Sequence, residues 1–191
     1  MEIVAHNNKA FNDVDYSEKE LSNREFYNCE FFNCDFSKSD LSNNDFTNCK
    51  FINCNFSLTI FKETVLDNIN FVGCKLLGID FSVCNSLLFS LNFQGCYLDY
   101  SSFSHQKMKR TKFLECSLKE VDFDEVDLSL AVFKDCDLLK ANFIRSILKK
   151  TDFRSAYNYA IDPELNKMEK ARFSKASLEG LLMKYNLDLE L

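Results

Sequence analysis

The sequence predicts an all-β solenoid, a chain wound into short, sharply turned segments that stack on four faces. Three observations carry this reading. Large apolar residues recur at every fifth position, a small or compact residue such as Cys29, Ser39, Thr59 or Ala131 commonly stands two positions earlier, and the 191-residue chain holds only 4 Gly and 1 Pro. Average usage of ~7% Gly and ~5% Pro would give roughly 13 and 10. Neither a helix, repeating at 3.6 residues, nor a flat strand, repeating at 2, produces a period of five. The scarcity of turn residues also argues against an ordinary loop-rich enzyme. With 46% hydrophobic and 27% charged residues, the length suits one domain with its own core. No apolar run approaches the ~20 residues of a membrane helix.

Residues 1–10 form a leading segment in which Met1-Glu2-Ile3-Val4-Ala5-His6 shows no basic region followed by an apolar stretch, so a cytoplasmic protein is expected. The repeat block is assigned to 11–155. Its centres run Phe11, Tyr16, Leu21, Phe26 and every fifth residue to Phe81, fifteen in all, and a second set of fourteen runs from Leu88 through Phe93 to Phe153. Seventeen of the 20 Phe stand on these centres. The residue before each centre is mostly polar, as are most at the two positions after it, so each unit turns two side chains inward and three outward. In the second set Phe alternates with Leu or Met throughout, which on a four-faced coil stacks Phe on Phe and Leu on Leu. The two sets differ in register by two residues, absorbed within 82–87, where a bulge at one corner is expected.

Eight of the 9 Cys fall at the compact inward position (Cys29, Cys34, Cys49, Cys54, Cys74, Cys96, Cys116, Cys136), leaving Cys84 off the pattern. They read as core filler. An odd count in a chain of this length points to reduced thiols in a reducing compartment. Cysteines twenty residues apart would lie ~4.8 Å apart in adjacent coils, within disulfide range, yet thiols are expected. Cysteines five apart face different sides, so no zinc site is expected. There is no Gly-rich phosphate loop, no metal-spaced His pair and no glycine-flanked nucleophile. Asp122, Asp124 and Asp127 fall on outward positions and read as solvated surface, so a non-enzymatic protein without cofactors is expected.

After Phe153 the period fails, and 156–191 is assigned to a capping module. Asp162 is placed to N-cap a helix with Pro163 at its first position. A helix from about Ser174 would put Leu178, Leu181, Leu182 and Tyr185 at i, i+3, i+4 and i+7, one apolar face. Leu187-Asp188-Leu189-Glu190-Leu191 alternates like a half-buried strand. The helix face either covers the last coil or binds a second copy.

The repeat resembles that of the pentapeptide repeat family, whose motif is Ala-(Asp/Asn)-Leu-X-X with a buried central Leu or Phe. The likeness covers Phe11 to about Ser155 and implies a right-handed quadrilateral β-helix of four units per coil, about seven coils long, with a C-terminal α-helical cap. At ~4.8 Å per coil this is a rod of roughly 35 Å. Asp162-Pro163-Glu164-Leu165-Asn166 followed by Gly180-Leu181-Leu182 is similar to the C-terminal module of the topoisomerase-protecting branch, which includes quinolone-resistance and microcin B immunity proteins. That resemblance implies a two-fold dimer through Leu178, Leu181, Leu182 and Tyr185. It also implies DNA gyrase and topoisomerase IV as partners, engaged by DNA mimicry that counteracts quinolones or peptide toxins.

Charge is distributed unevenly. Residues 1–80 hold 13 acids and 7 bases, whereas 81–191 hold 16 of each. On four faces Asp15 stacks below Asp35, Glu20 below Asp40 and Glu25 below Asp45, forming outward acidic rows that attract a basic surface and repel nucleic acid and therefore serve as the candidate topoisomerase-facing surface. The C-terminal half departs from continuous mimicry, with basic clusters at Lys107, Lys109, Arg110, Lys112 and at Arg145, Lys149, Lys150, Arg154. The projecting loops of many Gram-negative quinolone-resistance members are also missing. The alternative reading is a structural or adaptor solenoid for another protein partner, its charge serving solubility.

Overall fold

In the computed structural model, which describes residues 4–188, the chain winds into a parallel β-solenoid, about seven turns of it within the repeat block. Ten short strands carry the regular ladders: β1 (Val4–Asn7), β2 (Ala10–Asn12), β3 (Arg24–Tyr27), β4 (Glu30–Phe32), β5 (Asp45–Thr47), β6 (Lys50–Ile52), β7 (Val65–Val72), β8 (Phe89–Gln94), β9 (Lys112–Leu114) and β10 (Val132–Lys134). Every strand pairing is parallel. Residues are matched twenty apart on either side of the register break, as in Phe11 with Phe31 and Asp122 with Asn142. Twenty residues hold four centres, so the coil has four sides. We number them I to IV by their first described centres, His6, Phe11, Tyr16 and Leu21.

A single coil cannot bury its centres; stacking does. Side II carries an unbroken column of Phe11, Phe31, Phe51, Phe71, Phe93, Phe113, Phe133, Phe153 and Phe173, with near-parallel rings 4.6–5.5 Å apart. Side IV carries a second column from Phe61 to Phe143. In the C-terminal half the two columns meet edge to face across the core at 5.9–6.2 Å, the geometry that the ring quadrupole favours.

The turns are made by the second residue after each centre, which adopts a left-handed conformation in coil after coil: φ is 52° at Asn8, 53° at Asn28, 55° at Asn48 and 53° at Asn68. Asn tolerates this region better than most side chains. That is how a chain with so few glycines turns so often, and three of its four glycines, Gly73, Gly78 and Gly95, occupy the same position.

All nine cysteines are free and buried. Six of them, Cys34, Cys54, Cys74, Cys96, Cys116 and Cys136, form one row up side III. Thiols in these inward rows donate to backbone carbonyls of the coil below, as Cys96 Sγ does to Phe71 O at 3.4 Å and Cys49 Sγ to Phe26 O at 3.3 Å. Burial pushes the Cys49 thiol up to about 12 and raises Cys84 further, so both remain protonated.

The register break differs from the sequence reading in two respects. Cys84 is not off the pattern: it is buried ten residues beyond Cys74, at an inward position of the first register. The centre of the next unit is Phe89 rather than Leu88, because Phe89 pairs with Leu66 and is 8% exposed while Leu88 is 50% exposed. The larger ring takes the core place and the ladder shifts register between Leu66 and Ile69 to accommodate it. A 3-10 turn over Phe81–Val83, capped by Asp80, leads into the insertion.

The coil also extends past both ends of the repeat block read from sequence. His6 stacks on Phe26 at 4.9 Å, and bridges run on to Ile147 with Lys167 and Asp152 with Arg172. Met168 and Phe173, fifteen and twenty residues beyond Phe153, restore the period. Between Phe153 and Met168, Tyr159 and Ile161 turn inward, while Asp162 caps a turn rather than a helix, accepting from the Glu164 amide at 2.8 Å.

The C-terminal cap is not α-helical. It consists of 3-10 segments, Lys175–Leu181 and Met183–Tyr185, with a non-helical kink at Ser177. Of the expected strand, Leu187 and Asp188 are not extended into a ladder, and 189–191 lie outside the described residues.

Candidate interaction surface

The six acids singled out from sequence stand at the position just before a centre, and the structure stacks them in pairs: Asp15 with Asp35, Glu20 with Asp40, Glu25 with Asp45. The pairs lie on sides III, IV and I respectively. They therefore girdle the first coils rather than line one face. Asp15, Glu20 and Glu25 are exposed, and Asp35, Asp40 and Asp45 half-buried.

These carboxylates also hold the fold. Asp15 Oδ1 accepts from the Ser17 amide at 2.8 Å and its hydroxyl at 2.6 Å, Asp35 from the Ser37 amide at 2.8 Å and Asp40 from the Ser42 amide at 2.9 Å. Each is an Asx turn that satisfies a backbone donor at the corner. The Ser17 hydroxyl and amide hold the Asp15 carboxyl below its ordinary value. At Asp35 burial pushes upward, but bonds from Ser37 and Asn55 outweigh it and the net shift is downward. Asn55 plays the same part with a neutral side chain, accepting from the Ser57 amide at 3.1 Å. A carboxylate is thus one way of making the turn, and its charge is additional to that role.

The position before the centre holds a longer row of acids than local spacing reveals. On side IV it runs Glu20, Asp40, Ile60, Asp80, Ser102, Asp122, Asn142 and Asp162, an acid at every second coil beyond Asp40. Asp124 and Glu125 stand beside it, tied to Arg145 at 2.7 and 2.8 Å. The signal was a forty-residue recurrence hidden by the two-residue register change. Asp122, Asp124 and Asp127 do not form one cluster: the first two lie on side IV and Asp127 on side I, where it pairs with Lys109 at 3.3 Å. Among the described residues no group of three or more His, Cys, Asp or Glu is arranged to hold a metal, and no helix is long and apolar enough to cross a membrane.

Family models for the pentapeptide repeat region match residues 24–103 and 44–123, and one for eight copies of the pentapeptide repeat matches 127–157. The chain belongs to the pentapeptide repeat family. No curated protein matches its sequence. Among solved structures, two trypsin-treated forms of QnrB1, described as a plasmid-mediated fluoroquinolone resistance protein, superpose with TM-scores of 0.53 and 0.52. They are 19% and 18% identical and cover 95% and 100% of this chain and 100% of their own. HetL, a pentapeptide repeat protein involved in heterocyst differentiation regulation in the cyanobacterium Nostoc, matches at 16% identity and TM-score 0.44 over 89% of this chain and 84% of its own.

Two further surfaces of this pentapeptide repeat chain stand out. At the register break a groove of about 560 Å³ opens beside Leu58, Ile60, Gly78, Asp80 and Val83. At the C-terminal end the four residues expected to share one helix face do not share one. Leu181 packs on the core while Leu178 and Tyr185 are exposed, because the tighter 3-10 winding and the break at Leu182 between the two segments separate positions that an α-helix would align. The cap is fastened instead through Gly180 and Tyr159. The Gly180 carbonyl accepts from Ile161 N at 2.9 Å, and Tyr159 Oη donates to Ser177 O at 2.6 Å.

Proposed function

We propose that this pentapeptide repeat protein is a non-enzymatic DNA mimic that binds DNA gyrase and topoisomerase IV and protects them from quinolones or a gyrase-targeting peptide toxin, in the cytoplasm. The observation that supports it best is the line of carboxylates along side IV, Glu20, Asp40, Asp80 and Asp122, repeated on a rigid ladder. An enzyme's duplex-binding saddle is lined with Lys and Arg that neutralise phosphates, and a fixed row of acids offers them an alternative anion without loss of chain entropy. A homodimer through the C-terminal cap belongs to this reading. Leu165, Leu178, Met183, Tyr185 and Leu187 leave an exposed apolar end suited to a second copy.

A second reading, an adaptor for an unrelated protein, is favoured by the apolar groove at the register break. One experiment separates them: supercoiling and quinolone-induced cleavage by purified gyrase with increasing amounts of this protein, beside a variant carrying Glu20→Gln, Asp40→Asn, Asp80→Asn and Asp122→Asn. Asn keeps the turn-making acceptor, as Asn55 does, and removes the charge. Rescue from cleavage that the variant loses supports protection; an unchanged enzyme in both cases supports the adaptor.

A further inference from the structure

We propose that side I of the four C-terminal coils binds the phosphate backbone of double-stranded DNA. The outward positions of residues 107–110, 127–130, 147–150 and 167–170 carry seven Lys or Arg against Asp127 and Glu169, and Lys112 and Arg172 flank them at the corner with side II, where Asp152 also lies. This patch is strongly positive in a chain whose net charge is −6.

How charges stack on the other sides makes it distinctive. There, each Lys or Arg at the second position after a centre of the repeat block sits above an acid one coil below: Lys38 on Glu18 at 3.2 Å, Lys140 on Glu120 at 3.6 Å and Arg145 on Glu125 at 2.8 Å. On side I the equivalent row reads Arg110, Leu130, Lys150, Lys170, with no acid in it. Lys109, Lys149 and Arg172 find acids nearby. Lys107, Arg110, Lys112, Lys150, Lys167 and Lys170 are exposed and make no ion pair among the described residues. Like charges stacked on a ladder are unfavourable. Arg110, Lys150 and Lys170 moreover occupy left-handed backbone, at φ of 65°, 57° and 59°, where the N-terminal coils of the same side use Asn8, Asn28, Asn48 and Asn68. Neither the turn nor the packing calls for a cation at these positions, but a polyanion does.

The chemistry points to a duplex backbone. The outward positions of side I in these coils hold no aromatic ring on which single-stranded bases would stack, and lysine meets phosphate as a point charge without reading sequence. A shallow groove of about 370 Å³ beside Ser90, Lys107, Lys109 and Arg110 adds a concavity at one end of the patch.

The test is fluorescence anisotropy of a labelled duplex of about 25 base pairs titrated with the whole chain over a salt series. No topoisomerase is present, so its outcome is separate from that of the protection reading. Binding should weaken linearly in log salt. Lys107→Gln, Lys150→Gln and Lys170→Gln together should lower that slope by about 1 per lysine while leaving melting unchanged. Lys38→Gln with Lys140→Gln, on side III, should leave binding intact. No anisotropy change from folded protein at low salt would overturn the proposal. So would equal loss in the side III variant, tighter binding of single strands, or displacement of the duplex by polyglutamate at lower charge concentration, which would assign the patch to an acidic protein.

Discussion

A Phe centre and the Asp before it divide the work of one repeat: the ring fills the column and the carboxylate makes the corner. Truncating a ring in the middle of side II therefore removes contacts to the coils on both sides. Phe113→Ala is expected to cost about 3–5 kcal/mol, measured as a shift in chemical denaturation, and Phe123→Asp is expected to abolish soluble expression by burying an unpaired carboxylate. Asp40→Asn should leave stability nearly unchanged, whereas Asp40→Ala, which orphans the Ser42 amide, should cost about 1 kcal/mol. The carboxyls of Asp15, Asp35, Asp127, Asp152 and Asp162 are all held below their ordinary value. Their contribution is therefore present above pH ~4 and lost as pH falls through the lowered values, so an acid titration of melting should fall off only below that point. The inward ring and thiol positions were legible in the sequence because burial repeats every five residues. The Asx corners and left-handed positions were less so, because Asp and Asn on a polar row look like solubility until the backbone shows what they cap.

At the scale of elements, the register break and the cap are where spacing and structure part. Spacing alone selects Leu88 as a centre, yet the core takes Phe89, since one more residue of slack lets the larger ring be buried. Phe89→Ala should destabilise by about 3 kcal/mol, and Leu88→Ser should be near neutral. Leu178, Leu181, Leu182 and Tyr185 fit a 3.6-residue repeat and so predict a helical cap. The repeat could not reveal the kink at Ser177 or the contact at Gly180, where an added Cβ would stand 2.3 Å from Tyr159 O. Gly180→Ala must therefore undock the cap from the last coil. The expected result is a loss of about 1–3 kcal/mol and faster proteolysis after Arg172, with the repeat core intact.

For the whole molecule, the decisive feature is that charge is sorted by side and by end on a continuously laddered rod. Side IV presents acids at two-coil intervals, side I of the C-terminal half presents cations that make no ion pair among the described residues, and the apolar cap closes one end. The sequence revealed the acidic bias of the N-terminal half but not its arrangement, because the six acids first singled out turn through three sides, while the row along side IV appears only once the register change is counted. The most direct measurement of the central claim is the affinity of this protein for purified gyrase across ionic strength, with and without the neutralised row of Glu20, Asp40, Asp80 and Asp122. The account predicts binding that weakens as the screening length shrinks from ~10 Å at 0.1 M toward ~3 Å at 1 M salt, and a variant of unchanged melting that binds more weakly with a shallower salt dependence. Binding that ignores both salt and the four substitutions, or no binding by the folded protein, would contradict it.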